Sequence, residues 1–356
     1  MKFSLFYEMQ TSNPSRAEEA QLFHDAVDQA VLADKLGYHA IWAVEHHGLR
    51  EYAHSSAPEI FLSFVAARTK RIRIGHGVTL LPSRYNHPIR VAERIATLDI
   101  LSEGRVNFGT GKSASQTELL AFESDLTTIH DQWLEALSII PRMWREDVFS
   151  FKGRFFDIPP TQIIPKPVQA PHPPVFAACS RPDTSIFAGK LGLGALSFSF
   201  DNQFALAAKV KDYRRAIQAV RPVTEVVTNH FACTPATLVL KDDDEACRYG
   251  FRGVRFFNES WSSYYNTMNR PVGPLPIHRD FLDEADFAAM KKVRDTPGAN
   301  MNMVIGTPSH ARDMVSRFVD CGVDELILIM NLGMIPSPLI VRSLKTFAEK
   351  VMPHFG

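Results

Sequence analysis

Residues 71–109, RIRIGHGVTL LPSRYNHPIR VAERIATLDI LSEGRVNFG, carry the reading on which the fold turns. Arg71–Leu81 is rich in isoleucine, valine and leucine and runs into Pro82, which cannot donate to a sheet ladder, so it reads as a strand that stops there. Ile89–Leu101 places Val91, Ile95, Leu98 and Leu101 at helical spacing and is followed by Gly104, the pattern of an amphipathic helix with a glycine stop. Val106–Gly109 then opens another strand. A strand, a helix and a strand within roughly 40 residues predict a parallel β-α-β unit.

The same rhythm extends in both directions. Towards the N-terminus, Lys2–Tyr7 reads as a strand and Ser15–Leu36 as a helix, with Leu22, Ala26, Ala30, Leu32 and Leu36 on one face and Gly37 at its end. His39–Val44 is the next strand and Pro58–Ala67 the next helix. Towards the C-terminus, Pro174–Ala178, Ala195–Phe200, Glu225–Thr234 and Glu325–Met330 read as strands. Helices are expected near Asp183–Leu191, Phe204–Ala219, Thr307–Cys321 and Pro338–Val351. About eight such units, with no GxGxxG fingerprint after the first strand, predict a closed (β/α)8 TIM barrel rather than a dinucleotide-binding sheet.

Two stretches interrupt the alternation. Residues 149–173, rich in aromatics and proline, suit a small β excursion and an extended connector. Residues 251–294 read as an aromatic, poorly periodic insertion. Long loops on the carboxyl face of a barrel cover or line its site, so this segment is expected to act as a lid. Both insertions are taken as parts of one domain spanning 1–356.

The 356 residues include 39 basic and 39 acidic side chains, a net charge of +0, so no global field draws the chain to nucleic acid or an anionic membrane. At 45% hydrophobic and 22% charged, the composition is that of an ordinary globular protein rather than a disordered or fibrous one. No apolar run approaches the ~20 residues of a membrane span, and the N-terminus lacks a signal-peptide core. Cys179, Cys233, Cys247 and Cys321 form neither CxxC pairs nor zinc-ligand spacing. A soluble cytoplasmic protein with reduced thiols is expected.

Chemistry concentrates at the carboxyl ends of the expected strands. Trp42–His47, WAVEHH, ends the second strand with a glutamate and two histidines. Neighbouring side chains on an extended backbone point apart, which argues against one metal ion shared by His46 and His47. A packed, hydrogen-bonded pair and a catalytic histidine remain as readings. Gly75 and Gly77 inside a strand point to a bulge, a close ligand approach or tight helix packing. Gly109–Ser113, GTGKS, offers backbone amides, hydroxyls and Lys112 as an anion cradle without Walker A spacing, and it also reads as a solvated turn. Ser180–Ser185, SRPDTS, hands a strand over to a helix whose first amides favour an anion. Phe256, Phe257, Trp261, Tyr264 and Tyr265 read as a binding surface in the insertion. Phe198 and Phe200 read either as core or as walls for a flat ring.

These motifs together resemble one family. Met1–Phe6 (MKFSLF), Trp42 with Glu45-His46-His47, Leu80-Leu81-Pro82 with His87-Pro88, Asp99–Gly109 (DILSEGRVNFG), Gly306-Thr307-Pro308 and Val351–Phe355 (VMPHF) are similar to the luciferase-like flavin-dependent monooxygenases, in particular the bacterial luciferase alpha-subunit branch. The resemblance spans nearly the whole chain and is weakest at 150–172 and 250–300.

The resemblance implies a barrel that binds reduced FMN (FMNH2) supplied by a separate NAD(P)H-dependent flavin reductase. There reduced flavin and O2 form a C4a-hydroperoxide that oxygenates a small apolar organic substrate. It implies His46 as the catalytic histidine, acting as a base or hydrogen-bond partner. It places Gly77, Val78, Gly109, Lys112, Ser180, Arg181 and Thr184 around the cofactor, with Lys112 and Thr184 on the phosphate and a non-proline cis peptide at Gly77–Val78. It further implies a homodimer through the second and third helices. The family's reactive cysteine falls on Gly111, the glutamate of its phosphate loop on Ser180 and a phosphate-binding arginine on His130, so light emission does not carry over. The family also contains enzymes of coenzyme F420, which transfer hydride, and non-catalytic flavin binders, so both remain alternatives.

Overall fold

The computed structural model describes residues 1–198, 201–265, 271–298 and 301–356. Its first half runs β1 (Lys2–Tyr7), α1 (Arg16–Leu36), β2 (Ala40–Ala43), α2 (Pro58–Arg68), β3 (Arg73–Leu80), α3 (Pro88–Leu101) and β4 (Val106–Gly111). Helices α4 (Gln116–Ala121) and α5 (Ile129–Arg145) follow, then the antiparallel hairpin β5 (Phe149–Lys152) and β6 (Asp157–Thr161). The second half adds β7 (Val175–Ala178), α6 (Pro182–Lys190), β8 (Gly194–Phe198), α7 (Gln203–Gln218), β9 (Phe231–Thr234) and β10 (Ala236–Val239). It finishes with α8 (Asp243–Tyr265), α9 (Glu284–Asp295), β11 (Met303–Gly306), α10 (Pro308–Asp320), β12 (Glu325–Leu328) and α11 (Ser337–Lys350).

Eight parallel strands close in the order β1-β12-β9-β8-β7-β4-β3-β2, with helices outside. This is the (β/α)8 barrel. Closure is carried by the two ends of the chain, since Lys2 pairs with Glu325 and Leu5 with Leu328. The strands are buried almost without interruption, because helices cover one face and side chains fill the other. The local signals work as the sequence suggests. Ser15 caps α1 by accepting the Glu18 amide, and Gly37 ends it at φ 86°, a left-handed conformation that costs glycine little.

The amino end of the barrel is plugged. The Glu325 carboxylate accepts Ser4 Oγ, Trp42 Nε1 at 2.9 Å and His230 Nε2 at 2.7 Å; burial raises its pKa, but His230, His39 and the Ser4 hydroxyl outweigh it and hold it at about 2. The Trp42 ring fills the lumen above, and a Cβ at Gly75 would sit 2.5 Å from it, so the glycine in β3 makes room for the indole. Open space is therefore left at the carboxyl end.

Three expectations need correction. The segment after 243 is not irregular as far as Tyr265: α8 is a 23-residue helix. Its small residues, Gly250 and Gly253, let it lie against Ile305, Leu332 and Ile335. Phe256 and Tyr264, taken as part of a binding surface, are fully buried. The strand expected over Glu225–Thr234 is confined to Phe231–Thr234, and residues 236–239 and 303–306 form a further parallel pair outside the barrel. Residues 149–173 do hold a small β excursion, followed by cis prolines at 165 and 171.

Candidate active site

A cavity of about 210 Å³ opens at the carboxyl end of the strands. Its wall takes Phe6 and Glu8 from β1 and the residue after it, Val44–His46 from beyond β2, Gly77 and Val78 from β3, Lys112 and Ser113 after β4, and Cys179 and Ser180 after β7. Leu196, Phe198, Thr234 and Ile327 come from the later strands, and Trp261 and Tyr265 reach in from the last turns of α8. Barrel geometry alone produces this convergence, since every strand ends at the same face.

His46 is the most strongly held polar group of the wall. Its Nδ1 lies 3.0 Å from Glu118 Oε1 and 3.4 Å from the Tyr265 hydroxyl, and its Nε2 faces Glu8 Oε2 at 3.9 Å. Glu118, fully buried on α4, also accepts the His47 backbone N–H at 3.0 Å and the Ser113 hydroxyl at 2.7 Å. Burial by itself would lower the histidine's pKa, but Glu118, Glu8 and Glu45 outweigh it and lift it to about 9. The Glu118 carboxyl is held below its usual range, burial being overcome by His46, Ser113 and the His47 amide. The ring is thus an imidazolium at neutral pH, with Nδ1–H committed to Glu118 and Nε2–H turned towards Glu8 and the cavity.

His47 points elsewhere. Its Nε2 lies 3.3 Å from Glu45 Oε1, and its ring stacks on Tyr85 and packs against Phe122. The two adjacent histidines therefore have separate environments. Among the described residues no group of three or more His, Cys, Asp or Glu side chains converges as a metal site.

A second feature is a pair of basic side chains, Lys112 and Arg181, near the rim. Lys112 Nζ donates to His130 Nδ1 at 3.3 Å. Burial and then the nearby Arg181 charge lower the Lys112 pKa, while burial and then Lys112 lower that of His130. Mutual repulsion of this kind is relieved by an anion. Arg181 precedes α6 and forms an exposed ion pair with Asp183 at 3.0 Å, and the Thr184 hydroxyl donates to the Arg181 carbonyl at 2.7 Å.

Of the residues singled out in the sequence, His46, Gly77, Val78, Lys112 and Ser180 share this cavity. Arg181 and Thr184 stand beside it at the start of α6. Gly109 does not line it: a Cβ there would meet the His76 carbonyl oxygen at 2.0 Å, so this glycine serves the close approach of β3 and β4. The Gly77–Val78 peptide is cis. Gly111 sits where a Cβ would collide with Val78 Cγ2 at 2.5 Å. Phe198 lines the cavity, whereas Phe200 lies outside the described residues. Glu8, Glu118 and Tyr52 went unremarked in the sequence, for isolated acids and a tyrosine carry no spacing signal.

The acid–imidazole–acid arrangement, the aromatic-lined cavity and the basic Lys112 in its wall leave room for a cofactor with a ring system and an anionic group. Comparison with known proteins identifies relatives of the whole chain. The model of the luciferase-like monooxygenase family matches residues 1–325. The chain is 32% identical to the flavin-dependent trigonelline monooxygenase, oxygenase component, of Acinetobacter baylyi, covering 100% of this chain and 96% of that protein. The F420-dependent hydroxymycolic acid dehydrogenase of Mycobacterium tuberculosis is 33% identical over 181 residues, 49% of each chain. The crystal structure of monooxygenase RslO1 from Streptomyces bottropensis superposes with a TM-score of 0.83 at 25% identity, over 100% of both chains.

Proposed function

The chain belongs to the luciferase-like monooxygenase family, and from that premise we propose that it is the oxygenase component of a two-component, FMNH2-dependent monooxygenase acting on a small organic molecule with an apolar body. The observation that carries the reading is the meeting, around one cavity, of the His46 imidazolium on one side and the Lys112 ammonium on the other, with the Arg181 charge nearby. Lys112 and Arg181, with the amides that open α6, would hold the FMN phosphate. Gly77, Val78 and Phe198, which line the cavity, would receive its ring system. Reduced FMN, when bound, supplies the two electrons that activate O2.

The protein's own part is positioning and electrostatics. His46 turns an N–H donor on Nε2 towards the place where negative charge develops, and Glu118 keeps that donor oriented and charged. Trp261 and Tyr265 on α8 close over the site and exclude water. The segment beyond α8 is fastened by Glu51, which accepts the Leu275 amide at 3.1 Å and the Tyr264 hydroxyl at 3.3 Å. In this reading the described residues of the 251–294 segment, helical as far as Tyr265, act as the lid. A separate flavin reductase is the partner, and the relative named as an oxygenase component supports it. Ile60 and Phe64, one turn apart on α2, are 69% and 54% exposed, and Leu101 on α3 is 67% exposed, apolar side chains that suit an isologous homodimer through these helices. No described helix is long and apolar enough to cross a membrane.

An anaerobic titration with reduced FMN and, in parallel, reduced coenzyme F420, followed by an oxygen pulse, tests the reading. Preferred binding of reduced FMN and a substrate-dependent oxygen uptake are expected. Preference for F420 would replace monooxygenation by hydride transfer, and flavin binding without turnover would leave a flavin carrier.

A further inference from the structure

Two carboxylates line the cavity, Glu8 and Glu45, and a third, Glu118, stands behind His46; among the described residues only Glu8 keeps an oxygen unsatisfied. Glu45 accepts the Leu80 amide at 2.7 Å on one oxygen and Asn86 Nδ2 at 2.8 Å on the other. Glu118 is saturated by His46, His47 and Ser113. Glu8, just 1% exposed, accepts the Tyr52 hydroxyl at 2.9 Å on Oε1, but its Oε2 takes no hydrogen bond from any described residue. The nearest cation, His46 Nε2, stands 3.9 Å away, beyond hydrogen-bond reach, and His46 already has Glu118 as its partner. A buried carboxylate oxygen without a donor is costly, and burial holds the Glu8 carboxyl up at about 7 against the pull of His46 and Tyr52.

The surroundings of Glu8 are aromatic. The Tyr52 and Tyr265 rings lie 6.0 Å apart at 77°, Trp261 stacks on Tyr265 at 5.7 Å, and Phe6 stands two residues before Glu8 on the same wall. Electron-rich faces around one carboxylate attract a positive charge with an apolar body. His46 and Lys112 are the cations of the same wall, but His46 is held by Glu118 and Lys112 lies after β4, so the charge that meets a substrate beside Tyr52 is the Glu8 carboxylate.

Resting on the flavin monooxygenase reading of this cavity, we infer that its substrate carries a cationic nitrogen bearing N–H, which donates to Glu8 Oε2 inside the box of Phe6, Tyr52, Trp261 and Tyr265. Glu8 is thereby the specificity-determining residue of the site. It selects ammonium-type substrates over alcohols and acids of the same shape, since those leave its carboxylate unpaired or repelled.

Calorimetric titration of the whole chain, with and without saturating FMN, tests this with benzylammonium, benzyl alcohol and benzoate as probes. Benzylammonium should bind about tenfold or more tightly than benzyl alcohol, and benzoate weakest. Around neutral pH, benzylammonium binding should release protons, as the burial-raised Glu8 carboxyl ionises against the cation. E8Q, which keeps the acceptor for Tyr52, should bring benzylammonium down to the benzyl alcohol level and abolish proton release, with benzyl alcohol unchanged within about twofold. Equal binding of the three probes by the wild type overturns the assignment. So does an E8Q variant that loses reduced FMN affinity while keeping the ammonium preference, which would give Glu8 to the cofactor. Failure of the flavin reading shows separately, in the reduced FMN titration, and leaves the ammonium preference standing.

Discussion

Glu118 Oε1 accepts from two consecutive residues at once, the His46 ring at 3.0 Å and the His47 backbone N–H at 3.0 Å. One carboxylate from α4 therefore fixes both the position and the charge of the imidazole that the second strand delivers. The arrangement separates orientation from chemistry: Glu118 aims the ring, and the ring's other nitrogen faces the cavity.

If His46 is the cavity's proton-bearing donor, H46A should leave reduced FMN binding within about twofold of the wild type while oxygen consumption becomes uncoupled from product and H2O2 accumulates. E118Q should act through the ring, moving the alkaline limit of coupling down in pH. Coupling ratios measured across pH in the two variants check this, and unchanged coupling in H46A would sink the role.

Lys112 is partly buried and repelled by the nearby Arg181 charge, so an anion there gains a charge-assisted contact. K112A should weaken reduced FMN by roughly 1–3 kcal/mol. Riboflavin, which has no phosphate, should bind both proteins alike; an equal loss for riboflavin would move Lys112 away from the phosphate.

The folded chain holds the His46 proton to about pH 9, against an ordinary value of 6.5. A raised pKa adds stability that is complete below pH ~6.5 and lost as pH rises through the folded value. Glu8, raised from 4.5 to about 7, acts in the same direction over a lower window. Tm should therefore fall between pH 6.5 and 9, and H46N should flatten that slope. A wild-type slope in H46N would place the titration elsewhere.

Val78 and Gly111 compete for one space, since a Cβ at 111 would lie 2.5 Å from Val78 Cγ2. G111A should cost ~1–3 kcal/mol by overpacking, and V78A in the same chain should recover much of it. Denaturant melts of the two single variants and the double variant measure this coupling. Strict additivity would show that the two sites do not touch.

Ile60 and Phe64 lie one helical turn apart on α2, which packs beside α3. F64E should dissociate the proposed homodimer, seen as a halved mass in sedimentation equilibrium, with the fold retained by circular dichroism. A wild-type monomer would remove the dimer.

Much of the fold was legible along the chain because barrel units advertise themselves locally. Strands buried on both faces read as short, largely apolar stretches such as Ala40–Ala43 and Val175–Ala178, and helices end at residues such as Gly37 whose backbone demands are local. Helix α8 was less legible, because Gly250, Gly253 and a crowd of aromatics obscure its period, and only packing on Ile305 and Ile335 shows why the glycines are there.

The site divides along the same line. His46, Lys112, Ser180 and the Gly77–Val78 pair could be named from sequence because each sits in a motif at a strand end, where barrel topology must gather them. Glu8, Tyr52, Glu118 and Tyr265 come from four separate stretches, and nothing in their spacing relates them. The sequence by itself determined the barrel and which strand ends face the cavity, because periodicity and turn chemistry are short-range. Only the tertiary structure decided which acid holds His46, which acid keeps an oxygen unsatisfied and which aromatics surround it, because side chains remote in sequence meet only when the strands close.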